Sequence, residues 1–433
     1  MNPLAPFIHS AATPWNRRLA AHLLRRAGFA PSESEIRTAV AAGLEETVRS
    51  LLADGEESDR VHELDALAAP LAERDDIDGL RAWWFGRMRH TRRSLLARMT
   101  LFWHNHFATS NVKVRDARLM FQQIRVLEQH ALGSFRNMMR AVARDPAMIV
   151  WLDGQQNING RPNENFAREL FELFALGVGN YTERDIKEAA RAFTGWHQKN
   201  RRFQYVDTYH DHHEKTVFGR SGNLDGDDVI DLTMAQPACA RWIAVKLAQE
   251  FIAPAPDEAL IAAIALKLTE SKFDISATLE AIFLSRAMFD AANFRVRIKS
   301  PVEFVVGIAR SLELKAPSRG MADAAGQMGQ RLLEPPSVKG WDGHRAWLNS
   351  ATMLIRLNAA ARAVGGDLYA PQAMLDRYGI SAANAAESLG DLTLDGELPP
   401  PLADRLRESP MRDDAALREW TRLLISSPEY QMA

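Results

Sequence analysis

Apolar residues recur at helical spacing along almost the whole chain, and that periodicity constrains the fold more than any other feature. Between Trp15 and Arg26, Leu19, Leu23 and Leu24 take one side and arginines the other. Gly28 reads as the stop of that helix, and Ser32 with Glu35 has the spacing of a capping box opening the next. A long helical run through Trp83, Met88, Leu95 and Met99 ends near Trp103-His104-Asn105-His106. A further amphipathic helix carries Glu164, Asn165, Arg168, Glu169 and Glu172 on a polar sector, opposite Phe166, Leu170, Leu173 and Phe174. Gly177 and Gly179 end it, and Thr182 with Asp185 starts a helix through Ala192. One stretch departs from this pattern. From Gly195 to Gly222 aromatic and polar residues alternate, and Thr216, Val217 and Phe218 favour strand. The expected fold is all-α, a large multi-helix domain with a small β-hairpin or loop insertion near 196–222. No fixed-period repeat supports a solenoid.

With 433 residues the chain exceeds the usual size of one hydrophobic core. It therefore forms either two or three domains or one large helical array. A formal net charge of -2 supplies no global field for nucleic acid. The single cysteine, Cys239, excludes an internal disulfide and a thiolate zinc site, and between Ala238 and Ala240 it reads as a small buried apolar residue. No window is apolar enough to span a membrane. The N-terminal stretch lacks an uninterrupted apolar core and a cleavage site, so a cytoplasmic location is expected, or a periplasmic or secreted one if a signal has been removed.

Four groups of residues have the composition of a chemical site, and each also has a plain structural reading. His104 and His106 lie on one side of an extended segment but nearly opposite each other on a helix. They either bind a divalent metal or cap a helix and pack under aromatics. The loop from Tyr209 to Lys215 packs His210, Asp211, His212, His213 and Glu214 together, as metal ligands, as base and orienter, or as an exposed tip with no task. The Glu164–Glu172 face offers carboxylates next to Arg168, either a catalytic edge or an ion-paired solvated face. Trp341, between Gly340 and Gly343, is either a presented aromatic platform or a buried tryptophan. Ser221 to Asp228 superficially resembles a calcium loop but lacks its first and twelfth carboxylates, so Asp227 and Asp228 are expected to cap the following helix.

At these stretches the sequence resembles a bacterial family called domain of unknown function 1800. The matching residues run from Ala21-His22-Leu23-Leu24-Arg25-Arg26-Ala27-Gly28-Phe29 through Phe102-Trp103-His104-Asn105-His106-Phe107 and Asp145-Pro146-Ala147-Met148. They continue through the block from Pro162 to Trp196, His210-Asp211 with Lys215, Gly226-Asp227-Asp228, Lys339-Gly340-Trp341 and Ser427-Pro428-Glu429-Tyr430. At Asp342-Gly343-His344 the chain departs from the proline–glycine pair that is more usual. The resemblance implies one mainly helical domain over 1–433, with a looser helical part from about 365. It carries no established activity. It implies a neighbour from a second family, domain of unknown function 1501, which is similar to alkaline-phosphatase-like hydrolases.

Together these observations predict a hydrolase-like enzyme acting on a polar substrate, a carbohydrate or an ester, in a single cleft. Glu164, Glu169, His210 and Asp211 are the expected catalytic residues. Arg168, Lys215, Asn165 and Trp341 are the expected substrate contacts, and His104, His106, His210 and Asp211 would hold a divalent metal if one is used. The rival expectation is a non-enzymatic binding partner of the alkaline-phosphatase-like neighbour.

Overall fold

The computed structural model describes residues 2–9, 13–408 and 413–433. Helices supply nearly every element, and the strands among the described residues form two antiparallel two-stranded hairpins. Where one hairpin was expected near 196–222 there are two. β1 (Trp196–Lys199) pairs with β2 (Arg202–Tyr205), and β3 (Lys215–Val217) with β4 (Arg220–Gly222). Each turns through two residues at positive φ, Asn200 and Arg201 in the first and Phe218 and Gly219 in the second. Such turns match the twist of the strands they join. Asn200-Arg201 lacks the Asn-Gly signature, which is why the first hairpin is hard to see in the sequence.

Local signals at helix ends are realised closely. Ser32 with Glu35 and Thr182 with Asp185 form reciprocal capping boxes. The helix Gly226–Met234 is capped two residues earlier than expected: Asp225 is the N-cap and Asp228 reciprocates, while Asp227 pairs with Arg144. The amphipathic helix beginning at Asn165 changes character partway. Asn165–Glu169 is α-helical and Leu170–Ala175 is a π-helix. Wide π turns of this kind are frequent at functional sites.

Two apolar cores hold the fold together. One gathers Trp103, Phe107, Phe135, Phe171 and Phe174 with the helices that follow the hairpins. The other gathers Trp84, Phe304, Trp341, Trp347 and Trp420. The helix Ser94–His106 lies between them, with Trp103 in the first core and Leu101 in the second. The C-terminal helices close on the second core, and the last residues are pinned by paired backbone hydrogen bonds between Arg297 and Ala433. Cys239 is fully buried and burial pushes its thiol up to about 12, so it behaves as an apolar filler. No helix among the described residues is long and apolar enough to cross a membrane.

Candidate functional site

The helix Ser94–His106 decides what its two histidines can do. Two residues apart on an α-helix, they face opposite cores. His104 is fully buried against Trp84 and Trp341, and its Nε2 accepts the backbone N–H of Leu333 at 3.2 Å. His106 packs against Phe107 and Phe174, and its Nε2 donates to the Phe174 carbonyl at 2.9 Å. Burial lowers both to about 3, so both are neutral near pH 7. No group of three or more His, Cys, Asp or Glu among the described residues is placed to hold a metal ion.

Between these two histidines in sequence, Asn105 reaches across to a loop far along the chain. Its Oδ1 accepts the backbone N–H of Trp341 at 2.8 Å. Gly340 makes the approach possible. Its φ is +82°, and a Cβ there would overlap both Asn105 Oδ1 and the Asn105 carbonyl oxygen. Gly340→Ala is therefore expected to cost about 1–3 kcal/mol in backbone strain alone, plus the overlap. It should also shift tryptophan fluorescence by displacing Trp341, and an unchanged urea midpoint would refute the close approach.

The Asn105–Trp341 contact forms one rim of a cleft of about 260 Å³. Tryptophans 242, 341 and 347 and Phe102 supply its apolar walls, and His106 and His344 also face it. Its polar walls come from three separate parts of the chain. Arg98 is on the central helix, Lys246, Gln249 and Glu250 on Pro237–Phe251, and Arg297 and Glu303 sit around the start of Pro301–Ser311. Arg98 contacts Glu250 at 2.5 Å and Glu303 at 2.7 Å, and Arg297 contacts Glu303 at 3.2 Å. Arg297 and Arg98 hold the Glu303 carboxyl far below its usual range against the opposing pull of burial. His344, at positive φ on the Trp341 loop, is lowered by burial first and then by Arg297.

Only part of the sequence-derived set reaches this cleft. Trp341 and His106 line it, and His104 stands behind Trp341 with ring centres 5.6 Å apart. The other candidates occupy different ground. Glu164 and Glu183 both pair with Arg168 at the surface. Asn165 donates to the Leu152 carbonyl at 3.2 Å. Glu169, half-buried beside Glu172, is raised to about 7 by burial and then by its neighbour's charge. Asp211 pairs with Arg191 at 2.7 Å, and Lys215 is buried, donating to the His213 carbonyl at 3.1 Å and to Asn223 at 3.3 Å. His210 donates from Nδ1 to the Thr194 carbonyl at 2.8 Å.

Lys246, Glu250 and Arg297 went unmarked in the sequence, and His344 was noted there only as part of the Trp341 loop, without a chemical role. One signal could have found the first two. Trp242, Lys246, Gln249 and Glu250 share a stripe on an otherwise apolar helix, at spacings of four, seven and eight.

The fold and cleft define a mainly helical protein with a tryptophan-walled, charge-lined cavity at the junction of its two cores. The chain belongs to the family described as protein of unknown function DUF1800, which it matches over residues 22–432. No curated protein and no solved structure matches it.

Proposed function

We propose that the chain is a hydrolase-type enzyme whose substrate, a polar molecule of the carbohydrate or ester class, binds in the Trp341 cleft. The observation that carries this reading is the convergence of three tryptophans, Glu250, His106, His344 and Lys246 on one concave site. Apolar walls with a few convergent polar groups are the ordinary form of a small-molecule site. Flat indole faces suit sugar rings. His344, lowered below its usual value, is neutral near pH 7 and can accept a proton from an attacking water. The catalytic assignment thus moves from Glu164, Glu169, His210 and Asp211 to groups that share a cavity.

The test is a panel of chromogenic glycosides and esters, with His344→Ala beside the parent. Turnover by the parent that falls about 10²–10⁴-fold in the variant is the expected result, the usual contribution of a positioned proton acceptor. Equal turnover by both proteins, or turnover of nothing in the panel, would count against it.

One observation favours the second reading, a partner-binding role. An apolar groove of about 260 Å³ runs between the helices Pro301–Ser311, Ser318–Gln327 and Ser350–Val364, and the last of these leaves Leu354 and Leu357 exposed. Under that reading an alkaline-phosphatase-like neighbour co-elutes with the parent protein and not with Leu354→Glu.

A further inference from the structure

The charges around the cleft do not balance, and the imbalance has a direction. Among its lining residues, Arg98 and Arg297 are matched by Glu250 and Glu303, and Lys339 is matched by Asp342 at 2.8 Å. Lys246 has no such match. Its ammonium stands 4.6 Å from the Trp242 ring centre and makes no ion pair or hydrogen bond with a carboxylate among the described residues. Burial lowers its affinity for a proton first, and Lys339 adds to the effect, which places a second positive charge within its field.

The wall behind the cleft adds to the excess. Arg26 is fully buried and its field reaches Arg297, Glu303 and Arg98. It donates to the Asn293 carbonyl, while its Nε and Nη1 have no hydrogen-bond partner among the described residues. Arg356, also fully buried, donates to the Lys299 carbonyl at 2.7 Å and to Gln431 at 3.2 Å. Carbonyl oxygens satisfy these hydrogen bonds but do not cancel the charge, and a guanidinium does not lose its proton. Arg98, which lines the cleft and is itself 2% exposed, also leaves Nε without a partner. A low-dielectric wall with more guanidinium than carboxylate carries a net positive field into the cavity it borders.

Resting on the hydrolase reading, we propose that the substrate carries an oxyanion, a carboxylate or a phosphate on a sugar-like body. Lys246 receives the anion, with the buried arginines supplying the field, while Trp242 and Trp341 flank the neutral part. The chemistry shared by both sources is a compact oxyanion next to a hydroxylated ring. A flexible ammonium suits a compact anion, since it needs no bidentate geometry.

The experiment is calorimetric titration of the full chain with glucose, glucuronate and glucose 6-phosphate, in the parent and in Lys246→Met. At least one of the two anions is expected to bind tenfold or more tighter than glucose. That advantage should shrink at high salt and vanish in Lys246→Met, whose thermal midpoint should match the parent's. Which anion gains identifies the source. Glucose binding as tightly as both anions, an anion advantage that survives in Lys246→Met, or no binding by any of the three overturns the proposal. Each of these outcomes leaves the hydrolase reading to its own test, the loss of turnover in His344→Ala.

Discussion

Asp145→Asn is expected to be more stable than the parent at pH 8, and the gap should narrow by roughly 3 kcal/mol as the pH falls to 5. Asp145 is buried at the N-cap of the helix Pro146–Trp151. Its Oδ1 accepts from the Met148 N–H at 2.9 Å and from Gln123 at 3.1 Å, while its Oδ2 and the Gln123 Oε1 have no hydrogen-bond partner among the described residues. Burial raises this carboxyl to about 7, and the hydrogen bonds it accepts only partly oppose that. The sign follows from the direction of the shift. The folded state holds its proton up to about pH 7, whereas the unfolded chain releases it near the ordinary carboxylate value. The favourable contribution is therefore present in acid and lost as the pH rises through about 7. Asparagine caps a helix as well as aspartate does, carries no charge, and offers an N–H in place of the unpartnered Oδ2. Urea unfolding of both proteins at pH 5 and pH 8 measures the gap. A difference that does not change with pH would show that Asp145 is ionised in the fold at an ordinary value.

Glu303→Ala is expected to lose about 3–5 kcal/mol of stability, the usual cost of removing one partner from a buried ion pair. Glu303 is 4% exposed and does two jobs. It closes the capping box with Ser300 at the start of Pro301–Ser311, and it compensates Arg98 and Arg297. Without it, Arg26, Arg98 and Arg297 repel one another, opposed by Glu250 at Arg98 and by the field of Asp395 at Arg26. Glu303→Gln retains the side chain's length and much of the cap but not the charge, so it should lose most of the same stability. If Gln were nearly neutral and Ala severe, the cap rather than the charge would be the source. Chemical denaturation of the three proteins decides this.

The same residue shows why the fold was more legible than the site. Helix spans, stops and capping boxes are local, set by residues three or four apart, and Ser32, Glu35, Thr182 and Asp185 do what their spacing indicates. Ser300 and Glu303 have that spacing too, and nothing local reveals that the same carboxylate neutralises an arginine two hundred residues earlier. The cleft draws on residues from Arg98 to Trp347, so no window of sequence contains it. Dense polar stretches were the opposite case. His210, Asp211 and Lys215 stand together in sequence, but each is engaged by nearby groups: His210 by Thr194, Asp211 by Arg191, and Lys215 by His213 and Asn223. His104 and His106 illustrate the helical period most simply, because the spacing that pairs them in the sequence sends them into different cores.

The claim on which the functional account stands is that the Trp341 cleft is where this protein holds its ligand. Soaking crystals with a set of small sugars, sugar acids, sugar phosphates and esters tests it directly. The account predicts bound molecules lying along Trp242 and Trp341 with a polar group on Lys246. Density that gathers instead at the Glu169–Glu172 pair or the His210 loop, with the Trp341 cleft left empty, would contradict it.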